Sequence, residues 1–252
     1  MIKLCTKNWS VENVETVLFD KDGTFIDLHF FWGKMTELRA LEIVKKFKLD
    51  NEYFEKICSI LGFDIKTKKM LFDGITALYS RVKIIEILRD KLEEFGVSTS
   101  IQELEDIFDK VSEDFYNEIE KYTKPIQEAI EFIKELRNKG LKIGVVTSDS
   151  VKSTDLTIKQ HGWENLFDVV IGRESSGFTK ESGEPTRLAL KQLDANPLST
   201  IMIGDAPMDF ISAQNAGIKN VILVATGQIS RDDLLKTTKL VVESLSEVQI
   251  ST

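Results

Sequence analysis

A chain of 252 residues, 42% apolar and 29% charged, can bury a sizeable core without help from disulfides or metals and is too apolar to remain disordered. Its formal net charge of −8 speaks against nucleic-acid binding, which draws on clustered Lys and Arg, but allows a small anion held by local positive charge. Cys5 and Cys58 are spaced neither as a metal knuckle nor as a disulfide scaffold, the polar N-terminus lacks the apolar centre of a signal peptide, and no run approaches bilayer-spanning length; a cytoplasmic protein with no membrane association and no evident obligate protein partner is expected.

The first strong element is Thr16-Val17-Leu18-Phe19, a β-branched and apolar run that ends abruptly in Asp20-Lys21-Asp22-Gly23-Thr24. This pattern predicts a buried strand that delivers polar residues into a loop. From Phe31 to Tyr122 the period becomes helical. Met35, Leu38, Leu41, Val44 and Phe47 are expected on one buried face, and Ile101, Leu104, Phe108, Val111, Phe115 and Ile119 give the longest stripe, with Ser100 and Glu103 spaced as a capping box at its start. After Pro125 helices and strands alternate. Strands are expected at Lys142 to Val146, Asp168 to Ile171, Thr200 to Ile203, Asn220 to Val224 and Leu240 to Val242, with helix stops near Gly140, Gly162 and Gly217.

Alternation of this kind implies an α/β fold: a doubly wound parallel sheet, Rossmann-like, covered on both faces. The helical stretch reads as an insertion after the first strand. Residues 1–30 and 123–252 would form the core and 31–122 an α-helical cap subdomain.

Ligands of a doubly wound sheet bind beyond the carboxyl ends of its strands. Four polar clusters fall at or near such ends: Asp20 to Thr24, Thr147-Ser148, Lys180, and Gly204-Asp205 with Asp209. Any one of them alone could be a turn, a strand exit or a solvated loop residue. Taken together and in this order, they resemble the motifs of the haloacid dehalogenase (HAD) superfamily, in the branch of phosphoglycolate phosphatase and β-phosphoglucomutase. Asp20-Lys21-Asp22-Gly23-Thr24 meets the family's Asp-x-Asp-Gly-Thr, Thr147 its strand-closing Thr or Ser, Lys180 its Lys nine residues before Ala189-Leu190, and Gly204, Asp205 and Asp209 its Gly-Asp-x-x-x-Asp. The chain departs from the family's frequent Lys-Pro-x-Pro, since Lys180 is followed by Glu181-Ser182-Gly183-Glu184-Pro185.

The resemblance implies hydrolysis of a small phosphorylated metabolite. A carboxylate that attacks phosphorus splits one hard displacement into two easier ones, and by resemblance that nucleophile is Asp20. Asp22 would protonate the leaving oxygen and then deprotonate the attacking water. Several carboxylates beside a phosphate need a hard cation with oxygen ligands. The resemblance implies Mg2+ on the Asp20 carboxylate, the Asp22 carbonyl and the Asp205 carboxylate, with Asp209 in support. Thr147, Ser148, Lys180 and the tight turn at Gly23 would bind the phosphoryl group. A phosphomutase of the β-phosphoglucomutase type is the nearest alternative, and a catalytically idle phosphate-binding protein the more distant one.

Overall fold

The computed structural model describes residues 2–251; Met1 and Thr252, the outermost residues of the expected core segments, lie outside the described residues. The chain divides into two compact units, one made of the residues up to Asp27 and those from Thr123 onward, the other of Leu28–Tyr122.

The helical unit is built on α1 (Leu28–Phe47), α2 (Glu52–Ile60), α3 (Arg81–Glu94) and α4 (Ile101–Asn117). Ser80 and Ser100 cap α3 and α4, and the Ser100–Glu103 capping box forms as the spacing predicts. Leu104, Phe108, Val111 and Phe115 are buried in the expected stripe. The face of α1 differs from expectation. It buries Met35, Thr36, Arg39, Ala40 and Ile43, while Leu41 is half exposed. Arg39 takes part in that face, with its guanidinium 4.2 Å from the centre of the Phe108 ring; a polar residue that an apolar stripe leaves out joins the core by stacking. The unit also holds a hairpin, Phe63–Asp64 with Lys69–Met70, whose two-residue strands are too short to show an alternation in sequence.

In the α/β unit, β1 (Thr16–Phe19), β2 (Lys142–Val146), β3 (Val169–Ile171), β4 (Thr200–Gly204), β5 (Asn220–Val224) and β6 (Val241–Val242) form one parallel sheet in the order β6-β5-β4-β1-β2-β3. Its main helices are α5 (Gln127–Asn138), α6 (Val151–Gln160), α7 (Glu184–Gln192) and α8 (Pro207–Asn215). Every residue of the central β1 is buried, as a strand covered on both faces requires. Val17 pairs with Ile143 on one side and Ile201 on the other. From β1 the chain builds outward through β2 and β3, then returns to β1's other edge with β4. This reversal puts the topological switch point, where such sheets open a crevice, between the ends of β1 and β4.

A second, antiparallel sheet went unforeseen: Ile2–Cys5 lies between Ser10–Val14 and Gln249–Ser251, bringing the two ends of the chain together. Only Leu4, Val11 and Val14 of its first two strands are buried, and a register irregularity interrupts the pairing. So sparse an apolar pattern falls below what periodicity can detect.

Candidate active site

Asp20 leaves the sheet at the C-terminal end of β1, where its N–H donates to the Ile203 carbonyl of β4 at 2.8 Å. Its carboxylate meets Asp205, at the end of β4, and Asp209, in the first turn of α8. Ligand oxygens of all three lie within 4.8 Å of one another and all three residues are buried. Lys180 closes the group, with Nζ 2.5 Å from Asp20 and 2.6 Å from Asp209. The loop that carries Lys180 is held from outside, since the Asn215 side-chain amide donates to the Glu181 carbonyl and Arg187 donates to that of Ser182. Gly183 turns the chain with φ +79° into α7.

Burial pushes the Asp20 carboxyl up to about 7; Lys180 opposes this, and Asp209 and Asp22 reinforce it. Asp205 is driven well above the usual carboxylate range, first by burial and then by Asp20 and Asp209, against the pull of Lys180. Burial would lower the Lys180 ammonium, but Asp20 and Asp209 outweigh it and hold it above the ordinary lysine value. One ammonium therefore does not balance three carboxyls. An all-oxygen, anionic donor set with excess negative charge suits a hard divalent cation.

Backbone without side chains makes room for these carboxyls. A Cβ on Gly23 would come within 2.4 Å of Asp205 Oδ2, one on Gly227 within 1.7 Å of the same atom, and one on Gly204 within 2.1 Å of Asp209 Cγ. Thr226 Oγ1 also donates to the Gly23 carbonyl at 2.5 Å, tying the loop after β5 to the loop after β1. Neither Thr226 nor Gly227 was foreseen. Yet they follow a strand end in the same way as the other clusters, and that rule applied to β5 finds them.

The remaining expected residues divide. Thr147 is buried at the end of β2, its Oγ1 accepting from the Asp149 N–H at 3.1 Å; with a lone pair so engaged, its hydroxyl proton is directed elsewhere. Ser148 is exposed, with Oγ 3.9 Å from Met208 Sδ. The Asp22 carboxyl stands apart from the triad, with Oδ1 2.7 Å from Lys21 Nζ. Lys21 is fully buried and reaches Asp149 at 3.0 Å on its other side, a second unforeseen pair.

A family model described as haloacid dehalogenase-like hydrolase matches residues 14–217. The chain belongs to this family. A relative named pyrophosphatase PpaX from Bacillus mycoides (strain KBAB4) is 24% identical over 208 residues, 82% of each chain. Among solved structures, a HAD-superfamily hydrolase of subfamily IA, variant 1, from Geobacter sulfurreducens PCA superposes with a TM-score of 0.64 at 17% identity, covering 93% of this chain and 94% of that one. A β-phosphoglucomutase from Clostridium difficile gives 0.61 at 18%, covering 93% and 92%. At these identities the two structures speak for the fold alone. Among the described residues no helix is long and apolar enough to cross a membrane.

Proposed function

We propose that this family member is a Mg2+-dependent phosphatase that hydrolyses a small phosphorylated metabolite, a phosphate monoester, through a covalent aspartyl-phosphate on Asp20. The observation that carries the reading is the Asp20 carboxylate at the switch point of the sheet, gripped by Lys180 at 2.5 Å within a buried cluster that also holds Asp205 and Asp209.

Asp20 attacks phosphorus with one carboxylate oxygen, the ester P–O bond breaks, and its electron pair leaves with the alcohol oxygen. Asp22 gives that oxygen a proton and becomes a carboxylate. Water then attacks the acyl phosphate and loses a proton to Asp22. The P–O bond to Asp20 breaks, and Asp20 returns to its carboxylate as inorganic phosphate departs. Lys180 offsets charge on the phosphoryl oxygens and keeps Asp20 oriented, while Thr147 and the backbone N–H groups of the loops after β1 and β2 donate to them. Asp20 and Asp205, with the Asp22 carbonyl, would hold Mg2+, which supplies Lewis-acid stabilisation of the phosphoryl charge. Asp209, bonded to Lys180 and accepting from the Ala206 N–H at 3.1 Å, keeps that side of the cluster in place.

The name of the Bacillus relative favours a second substrate reading, a phosphoanhydride such as inorganic pyrophosphate. Asp20 could attack either, and the leaving group differs. Purified protein with Mg2+ assayed on p-nitrophenyl phosphate, a panel of phosphorylated metabolites and pyrophosphate separates the two. Turnover that chelator abolishes and Mg2+ restores is expected, with a monoester preferred over pyrophosphate. Release of phosphate from no compound in the set, or undiminished activity after exhaustive chelation, contradicts the reading.

A further inference from the structure

Lys21 is the middle residue of the Asp-x-Asp motif, and the reaction just described does not use it. Its side chain is fully buried. Withdrawing an ammonium from water costs several kcal/mol unless it is paired, and this one is paired twice, with Asp22 Oδ1 at 2.7 Å and Asp149 Oδ2 at 3.0 Å. Burial would lower the ammonium's affinity for its proton, but Asp22 and then Asp149 outweigh that and keep it charged.

The two carboxylates differ in kind. Asp149 is buried and held at three other atoms: its Oδ1 accepts from the Ser150 N–H at 2.7 Å, its own N–H donates to Thr147 Oγ1, and its carbonyl accepts from the Arg173 N–H at 2.9 Å, while Oδ2 faces Lys21 as an ion pair. Asp22 keeps part of its side chain, 11%, open to solvent. The Lys21 carbonyl is fixed as well, accepting from the N–H groups of Phe25 and Ile26 at 3.0 and 3.1 Å. Lys21 therefore spans from a buried anchor in the loop after β2 to the partly accessible Asp22 carboxyl in the loop after β1. A buried pair of this kind adds little net stability over apolar residues of the same size, so the difference it makes lies in fixed orientation.

We propose that Lys21 is a positioning residue for the proton-transfer carboxyl of Asp22, with Asp149 as its buried anchor. The inference rests on the role given to Asp22 above. Holding Oδ1 sets the plane of the carboxyl and hence the direction of Oδ2. The proton passes from Asp22 to the leaving oxygen as the ester bond breaks. Between the two half-reactions Asp22 is a carboxylate, and Lys21 is the cation that keeps it in register for the incoming water. The Asp149 backbone N–H on Thr147 joins the same chain, so the acid and one phosphate donor share a single support.

The test varies how much the leaving group needs a proton. Parent protein and the paired variant Lys21→Met/Asp149→Asn, which removes cation and anchor together so that Asp149 is not left as a buried unpaired charge, are compared at one pH with Mg2+. Their kcat/KM is followed from phenyl phosphate to 2,4-dinitrophenyl phosphate. Because general-acid help is worth about 10²–10⁴-fold where it is needed, the variant is expected to lose roughly 10²-fold on phenyl phosphate and under about threefold on the dinitrophenyl ester, which departs unaided. The plot of log kcat/KM against leaving-group pKa then steepens. A uniform loss across the series, as a merely structural role would give, or no loss at all, overturns the inference while leaving the phosphatase reading intact. If the parent turns over none of the series, the phosphatase reading falls and the inference with it. Should the paired variant not fold, Asp149→Asn alone keeps the side-chain shape and the acceptor for Ser150, and the same steepening, smaller in size, is the expected result; an unchanged slope there overturns the inference.

Discussion

In the α/β unit Asp20, Lys21, Asp149, Lys180, Asp205 and Asp209 are all nearly withdrawn from solvent, whereas among the described residues of the helical unit the buried polar set is Thr36 and Arg39. The first unit holds its buried charge in close pairs at the ends of strands. The second is held by aliphatic and aromatic packing, such as Phe115 edge-on to Phe31 at 5.1 Å and stacked on Tyr122 at 4.6 Å. Burying charge is costly unless it is matched, so a region that does so repeatedly gives up stability for arrangement. The contrast assigns chemistry to one unit and ordinary packing to the other.

Substitutions can break that contrast. The larger effect on rate among them is expected at Gly227. A Cβ there would sit 1.7 Å from Asp205 Oδ2, so Gly227→Ala must displace the carboxylate or the loop, and a misplacement near 1 Å costs about 10²-fold in rate. Steady-state kinetics should show that loss with a melting temperature little changed; parental activity would mean that Asp205 is not held where the reaction needs it. Phe115→Ala in the helical unit should behave in the opposite way. Truncating a fully buried Phe costs about 3–5 kcal/mol, to be read from denaturant unfolding, while the folded protein retains most of its kcat on p-nitrophenyl phosphate. A collapse of kcat without loss of stability would place chemistry in the unit argued to lack it.

The smallest expected effect sharpens the electrostatic side. Asp20, pushed up to about 7, and Asp205, raised well above the carboxylate range, both bind protons more tightly folded than unfolded. Their contribution to stability is therefore full below the unfolded value near 4 and is lost as pH rises towards 7. Metal-free protein should melt several degrees lower at pH 7 than at pH 5, since each kcal/mol shifts the midpoint by about 2–4 °C in a chain of this size. Mg2+ should flatten the trend by favouring the ionised carboxylates. A melting temperature that climbs across this window in chelator would show that the cluster is not strained by its own charge.

The same contrast explains what could be read from the sequence. β1, β2, β4 and β5 were legible because strands buried on both faces are unbroken apolar runs, and Asp20, Lys180, Asp205 and Asp209 because, taken together and in order, they match the motifs of one family. Thr226 and Gly227 were missed although a strand end precedes them, since a Thr-Gly pair looks like any turn. Lys21 and Asp149 lie in loops separated by the whole helical insertion, and no local pattern announces that they pair. The buried face of α1 was misplaced for a related reason: periodicity counts Arg39 as polar, and only the position of the Phe108 ring shows that it packs inside.

The central claim is that Asp20 forms the covalent bond to phosphorus, and the most direct measurement is to trap it. Protein mixed with excess p-nitrophenyl phosphate and Mg2+, quenched in acid within milliseconds and reduced with borohydride, is digested and mapped by mass spectrometry. An acyl phosphate on Asp20 is reduced to homoserine at position 20, and the Asp20→Asn protein, inactive but folded, gives none. Homoserine at position 20 of the parent and nowhere else is the predicted result. Steady turnover with Asp20 unmodified, or with the label on Asp22, Asp205 or Asp209, would contradict the account.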